Sequence, residues 1–236
     1  MEEIEKLVGL SGEGLLKMQY KRAHETGQAQ RAIEKEIELK ELCLEQFRDN
    51  FVFEKCSLLR DPVEYANTKF FSMHREDAAT KMLVHSNKNL LTSLTRLDDT
   101  AVIKEALNSF KCILGYCGDV RTTYPETLAI SILEIGLEGS GWLKAEIFAQ
   151  LMKQLCENPG GGFSKDKVWK LIMLCLLHFS PGDSMENFVQ IFIRDNAPER
   201  HKDALIRQCH VIAYEQAAAC VPPVSMMESM LRKAGF

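Results

Sequence analysis

Apolar residues recur every three to four positions along most of the chain, and the strict alternation typical of strands is missing. The pattern predicts a long helix near 14–54, then helices near 62–72, 75–84, 100–117, 124–136, 142–157, 165–178, 184–194, 198–216 and 225–234. Short segments marked by proline or glycine separate them. We therefore expect an all-α fold, a compact bundle of about ten helices with a long N-terminal helix.

Several helix boundaries carry recognisable signals. Asp61 precedes Pro62 at the first position of a predicted helix, where a capping carboxylate and a proline are both favoured. Thr123 and Ser225 stand in similar positions and are predicted to cap two further helices. Gly118 and Gly136 follow apolar helical runs and are predicted to end them.

The first predicted helix differs in composition from the others. It is rich in Glu, Lys and Gln, and a lysine interrupts its apolar seam. A sustained coiled coil needs about three to four good heptads, which this segment lacks. We expect it to pack on its own domain, with dimerisation as the alternative. The seam consists of Ile33, Ile37, Leu44, Phe47 and Phe51, and the lysine is Lys40.

The helix predicted over 142–157 is unusually apolar. Its apolar side chains cover about 240° of the helical wheel, more than the stripe of a surface helix. It should therefore be enclosed on more than one side, with the equally apolar helix at 165–178 as its direct partner. Only a polar strip interrupts it, formed by Glu146, Gln150, Lys153, Gln154 and Glu157.

Composition narrows the classes of function. The chain has 236 residues and a net charge of −4, so nothing indicates a nucleic-acid partner. The N-terminus is acidic and lacks the apolar core of a signal peptide, and no apolar run is long enough to insert into a membrane. The eight cysteines form no C-x-x-C pair, which favours reduced thiols in a cytoplasmic setting.

Motifs for catalysis or cofactor binding are missing. The glycines at 160–162 follow a helix rather than a strand, which favours a flexible helix-to-helix loop over a phosphate cradle. No two histidines stand four residues apart, and His178 lies in an apolar run typical of a core histidine. We therefore expect no metal, no cofactor and no enzymatic activity.

Four segments together resemble a known family. They are SFKCILGYCGD at 109–119, LKAEIFAQLMKQLCENP at 143–159, DKVWKLIMLCLLHFSP at 166–181 and a following FVQIFI. In order and spacing they are similar to the myosin tail homology 4 (MyTH4) domain, a helical tail module of several unconventional myosins and of plant kinesin-like calmodulin-binding protein. The residues that match, called the signature residues below, are Gly118, Asp119, Glu146, Gln150, Lys153, Gln154, Asn158, Pro159, Trp169, Phe179 and Pro181.

The chain also departs from the family pattern. Cys117 stands where the family has methionine, and Lys144-Ala145 and Lys167-Val168 replace Arg-Asp and Arg-Gly. These differences indicate a divergent member. The resemblance implies a MyTH4 domain at 59–236 after an N-terminal extension at 1–58. The proline-led helix at its end resembles the connection to a FERM domain.

The resemblance implies a non-catalytic, cytoskeleton-associated motor-tail module that binds microtubules, cargo or both. The alternatives are an adaptor module that binds cargo or adaptor peptides only with a FERM domain in cis, or a regulatory fragment of a RhoGAP-type protein. Because microtubule surfaces are acidic, binding would need a basic patch, which the net charge of −4 opposes. The candidates are Lys144, Lys153, Lys165, Lys167 and Lys170, and separately Arg200, Lys202 and Arg207.

Overall fold

Nine helices account for most of the described chain, which comprises residues 56–68, 75–214, 218 and 220–236 of a computed structural model. The predicted all-α fold is confirmed, since the described residues contain no strand beyond one isolated bridge between Leu59 and Thr95. The predicted long helix near 14–54 lies outside these residues. The helices are α1 Pro62–Asn67, α2 Arg75–Thr80, α3 Thr100–Cys117, α4 Pro125–Glu138, α5 Gly141–Leu155, α6 Gly161–His178, α7 Asp183–Asn196, α8 Glu199–Tyr214 and α9 Val224–Lys233.

Two of the predicted boundary signals act as expected. The Asp61 side chain accepts hydrogen bonds from the backbone N–H groups of Val63 and Glu64, which caps α1. Gly118 ends α3 with φ 84°, a left-handed conformation that glycine adopts without strain. Two other predicted caps are wrong. Tyr124 rather than Thr123 precedes α4, and α9 begins before Ser225, directly after Pro223.

Gly136 does not end its helix. It lies inside α4, where a Cβ atom would come within 2.2 Å of the Phe179 ring. The glycine therefore serves a close approach between α4 and the residue that follows α6. Phe179 in turn packs edge-on against Phe148 of α5, with ring centroids 5.9 Å apart.

Helix α6 lies at the centre of the fold. It packs against α3, α4, α5, α8 and α9, and all six residues at 171–176 are buried. The predicted pairing of α5 with α6 is therefore confirmed, and so is the enclosure of α5 on several sides. The two helices run in opposite directions, because Gly182, just after α6, lies against Gly141 at the start of α5.

Residues 81–99 contain no helix, yet several of their side chains belong to the interior. Leu83, Leu90 and Leu94 join the main core. The segment is tied to residues 58–60 by two backbone bonds, from Arg60 N to Leu94 O (2.7 Å) and from Arg96 N to Leu58 O (3.0 Å). A buried irregular segment needs further partners for its backbone polar groups. Those partners are the polar side chains of α5.

Candidate functional site: a buried polar stripe and an exposed basic ridge

Four of the five residues in the polar strip predicted on α5 lie in the interior. Glu146, Gln150 and Gln154 have no exposed surface, and Lys153 is 2% exposed. Only Glu157 is exposed. The four buried residues are called the buried polar stripe below. They share one face of the helix, because Gln150, Lys153 and Gln154 follow Glu146 by four, seven and eight positions. They cannot form a contact surface for a partner, because the segment 81–99 and helix α3 cover them.

Glu146 fixes the middle of that segment. Its carboxylate accepts hydrogen bonds from the backbone N–H groups of Leu94 (2.9 Å) and Thr95 (2.6 Å) and from the Thr95 hydroxyl (2.6 Å). The Gln150 amide adds a fourth donor at 2.9 Å. Burial raises the pKa of Glu146 above its usual range, while these donors act in the opposite direction. The arrangement suits an acceptor-only carboxylate.

Gln150 joins the same stripe to α3. Its Nε2 donates to the carbonyl oxygen of Ala106 at 2.8 Å, and its Oε1 accepts a hydrogen bond from the Ser109 hydroxyl at 2.8 Å. Both partners are fully buried. The Ser109 hydroxyl also lies 2.8 Å from the Ala106 carbonyl oxygen, so the glutamine joins a buried polar cluster on α3.

Lys153 is a buried cation rather than a surface one. Its Nζ donates to the carbonyl oxygens of Val84 and Lys81, the latter at 3.4 Å. Burial lowers the pKa of Lys153 to about 8. The prediction that Lys153 takes part in a surface binding site is therefore wrong. Its physical role is to close the turn that follows α2.

Gln154 and Asp119 connect two loops to α5. Gln154 accepts from Ser86 N (3.2 Å) and donates to Ser86 O (3.0 Å) and to Asp119 Oδ2 (2.9 Å). Asp119 Oδ1 lies 3.0 Å from His85 Nε2. The loop after α3 and the segment 81–99 are thus held together on the same face of α5.

Asn158 turns the chain from α5 into α6. Its side chain donates to Gln154 O (2.8 Å) and Ser164 Oγ (3.1 Å) and accepts from Gly160 N (2.7 Å). Helix α6 begins at Gly161, so two of the three glycines predicted as a flexible loop belong to its first turn. Among the other signature residues, Trp169, Phe179 and Pro181 are buried and Pro159 is exposed.

The basic candidates on α6 divide between two faces. Lys167 and Lys170 stand three residues apart and share a face, whereas Lys165 points about 140–160° away from them. Lys170 is exposed, and Lys165 and Lys167 are half-buried. The ammonium of Lys167 lies 5.0 Å from the ring centroid of Phe163 and 5.5 Å from that of Tyr116. Phe163 is 70% exposed and extends this face towards the start of the helix.

The candidates on α8 divide in the same way. Arg200 and Arg207 stand seven positions apart and share a face. Lys202 lies on another face and pairs with Glu199. An ion pair of 2.6 Å between Arg200 and Asp166 of α6 brings the two basic groups side by side. We call the surface formed by Lys167, Lys170, Arg200 and Arg207 the basic ridge.

His201 lies beside this ridge, with its ring stacked on that of Phe236 at 3.9 Å. Burial, followed by the positive charge of Arg200, lowers the pKa of His201 below its usual range. A neutral imidazole adds no positive charge to the ridge at neutral pH. The ridge therefore relies on its lysine and arginine side chains.

Lys144 lies apart from the basic ridge. It belongs to the start of α5, which lies near the C-terminal end of α6 and so far from Lys167. Its neighbour Trp142 is 55% exposed. Sequence reasoning missed both Trp142 and Phe163. The available signal was an aromatic residue beside glycines in the first turn of a helix.

Two further observations concern possible chemistry. Within residues 56–68, 75–214, 218 and 220–236, no group of three or more His, Cys, Asp or Glu side chains could hold a metal ion. In the same part of the chain, no helix combines the length and apolar character required to cross a bilayer.

Comparisons with known proteins confirm the resemblance to the MyTH4 family. Residues 129–232 match the MyTH4 domain. The high molecular weight form of myosin-1 from Acanthamoeba castellanii is 33% identical over 227 residues, which is 96% of this chain and 14% of that protein. The chain thus spans about one seventh of the length of this relative.

Solved structures support the same fold. The C-terminal MyTH4-FERM domain of human myosin 7b, solved in complex with the harmonin-a PDZ3 domain, aligns with a TM-score of 0.56 and 23% identity. That alignment covers 62% of this chain and 32% of the other. The MyTH4-FERM MF1 domain of Dictyostelium discoideum myosin VII aligns with a TM-score of 0.54 and 22% identity, over 64% and 33% of the two chains.

Proposed function

Because the chain contains a MyTH4 domain and resembles myosin tail modules, we propose that it is a non-catalytic, cytoskeleton-associated module whose basic ridge binds microtubules. The observation that carries this proposal is the juxtaposition of α6 and α8. Their cations are separated in sequence but adjacent in space through the pair of Arg200 with Asp166. A ridge of this kind suits an acidic polymer.

The charge of the ridge limits the affinity. Asp166 neutralises part of the positive charge of Arg200, and the net charge of the whole chain is −4. Binding should therefore be moderate and should weaken with salt, because exposed charges are screened within about 10 Å at 0.1 M ionic strength. Lys202 and Lys165 contribute less, since they lie on other faces of their helices.

Co-sedimentation with stabilised microtubules at low and at physiological salt tests the proposal. The wild-type chain should pellet at low salt and less at higher salt. The double variant Lys170→Glu with Arg200→Glu should bind about tenfold more weakly, because two exposed cations become anions. The matched control reverses two exposed or half-exposed lysines elsewhere, Lys104→Glu with Lys144→Glu, and should pellet like the wild type. Absence of pelleting at low salt contradicts the proposal.

A second candidate function is an adaptor module that works together with a FERM domain. It is favoured by the structural neighbours, which are MyTH4-FERM modules of which this chain aligns with about one third. A longer polypeptide that includes a FERM domain should then bind an adaptor peptide that this chain alone does not bind. Equal binding by both polypeptides rules this function out. The RhoGAP-type alternative gains no support from these relatives.

A further inference from the structure

Trp142 stands between two grooves at the start of α5. The first groove has a volume of about 400 Å³ and an apolar lining that includes Leu58, Ala145 and Met185. The second has about 360 Å³ and lies on the other side of the indole. An exposed tryptophan beside an apolar groove is unusual for a solvated surface and typical of binding sites.

The floor of the first groove is kept open by glycine. Gly182 has φ 88°, and a Cβ there would come within 2.9 Å of the Gly141 carbonyl oxygen. A Cβ on Gly141 would meet no atom within 4 Å, so a side chain at this position would enter open space at the groove. At Gly141 and Gly182 the groove is therefore lined by closely approaching backbone without side chains.

The two grooves differ in charge. Among the lining residues whose side chains the structure describes, Lys144 is the only charged one in the first groove. The second groove is lined by Arg96 together with Asp98 and Asp99, so that carboxylates outnumber cations there. The first groove therefore favours a partner that places an apolar side chain beside Trp142 and a carboxylate beside Lys144.

We propose that the first groove binds a short segment of a partner protein in which a bulky apolar residue is followed by acidic residues. A second copy of this chain is a poorer occupant. In a symmetric dimer the same patch faces itself, so each Lys144 would approach the other Lys144. The site lies at the opposite end of α5 from the basic ridge, so it is independent of microtubule binding.

Fluorine NMR of the full chain labelled with 5-fluorotryptophan tests this proposal. The chain has two tryptophans, of which Trp142 is exposed and Trp169 is 3% exposed, so each signal can be assigned with Trp142→Phe. The probe is a Gly/Ser peptide with a central Phe-Glu-Glu. It should shift the Trp142 signal, saturate at or below about 1 mM and leave the Trp169 signal in place. Peptides with Ala-Glu-Glu or Phe-Lys-Lys should cause little or no shift.

Two surface variants separate binding from folding. Lys144→Glu should weaken the Phe-Glu-Glu peptide about tenfold, and Gly141→Met should block the groove. Lys170→Glu, on the basic ridge, should bind the peptide like the wild type. The two tryptophan signals of each variant show whether the fold is retained.

Four results overturn the proposal. The first is a Trp142 signal that no peptide moves, and the second is an equal shift by Phe-Lys-Lys and Phe-Glu-Glu. The third is a Trp142 signal whose position depends on protein concentration. The fourth is a Trp142 signal that shows no contact between the indole and the solvent. The third result identifies a second copy as the occupant, and the fourth identifies another part of this chain. Microtubule pelleting is measured separately, so its failure leaves this proposal standing.

Discussion

Lys153 on α5 and Lys170 on α6 are the same residue type in neighbouring helices, yet they lie in opposite environments. Lys153 is 2% exposed and donates to backbone carbonyl groups, whereas Lys170 is exposed beside Arg200. Lys153 belongs to the buried polar stripe that fixes the irregular segment 81–99. Lys170 belongs to the basic ridge. The comparison teaches that a family signature can record how a fold is held together, while the exposed cations proposed for binding, such as Lys170, lie outside the signature.

The largest effect should come from Glu146→Gln. An amide replaces one of the two carboxylate oxygens by an NH2 group, which would then face the N–H group of either Leu94 or Thr95, both of which now donate to the carboxylate. Leaving buried donors unpaired should lower the free energy of unfolding by about 2–4 kcal/mol. Urea denaturation followed by circular dichroism measures this loss. The control Glu157→Gln, on the exposed end of the strip, should change it by less than about 0.5 kcal/mol.

A smaller loss should follow Gly136→Ala, which tests the apolar interior rather than the polar stripe. The new methyl group would lie 2.2 Å from the Phe179 ring, so the ring or α4 must move. Overpacking of this kind costs about 1–3 kcal/mol. Gly162→Ala is the matched control, because a Cβ at Gly162 meets no atom within 4 Å. Equal thermal unfolding temperatures for both variants would show that the close approach is unimportant.

Lys153 should also make stability depend on pH. Its pKa is about 8 in the folded chain and near 10.5 when exposed, so the unfolded state binds more protons between these values. The contribution of Lys153 to the free energy of unfolding therefore rises with pH between about 8 and 10.5. The free energy of unfolding of the wild type, taken relative to that of Lys153→Met, should increase by about 1–3 kcal/mol from pH 8 to 10. Urea denaturation at several pH values measures it, and a constant difference contradicts the burial of this ammonium.

The smallest effect on stability is expected on the basic ridge. Lys170→Glu with Arg200→Glu removes one exposed ion pair, and such pairs contribute about 0–1 kcal/mol. The unfolding free energy should change by less than about 1 kcal/mol, although microtubule affinity falls about tenfold. A larger loss of stability would mean that the ridge belongs to the structural part of the molecule.

Much of the fold is predictable from the sequence, because long apolar helices have a clear period. Helix α3 spans the predicted residues, and α5 and α6 pair as expected. The interior position of Glu146 is not predictable in this way. A polar strip on a helix indicates a solvated face unless an irregular segment supplies buried backbone donors. Residues 81–84 are predicted to continue a helix that ends at Thr80, and residues 85–99 carry no periodic signal. Gly136 likewise resembles a helix end until the position of Phe179 is known.

The candidate surfaces were less predictable. In the sequence, Lys167 lies closer to Lys144 than to Arg200. In the fold, Lys167 lies near Arg200, and Lys144 lies at the other end of α6. Helix pairing decides this, since antiparallel α5 and α6 put the two lysines at opposite ends. The exposure of Trp142 also depends on the two glycines that bring α5 close to the end of α6.

The most direct test compares the same substitution at two positions. Microtubule co-sedimentation at low salt is measured for Lys153→Met and Lys170→Met, under conditions where circular dichroism shows both variants folded. Lys153→Met should pellet like the wild type, because its ammonium is buried. Lys170→Met should bind severalfold more weakly, because an exposed cation is lost. Weaker binding by Lys153→Met together with unchanged binding by Lys170→Met would contradict the assignment of the two regions.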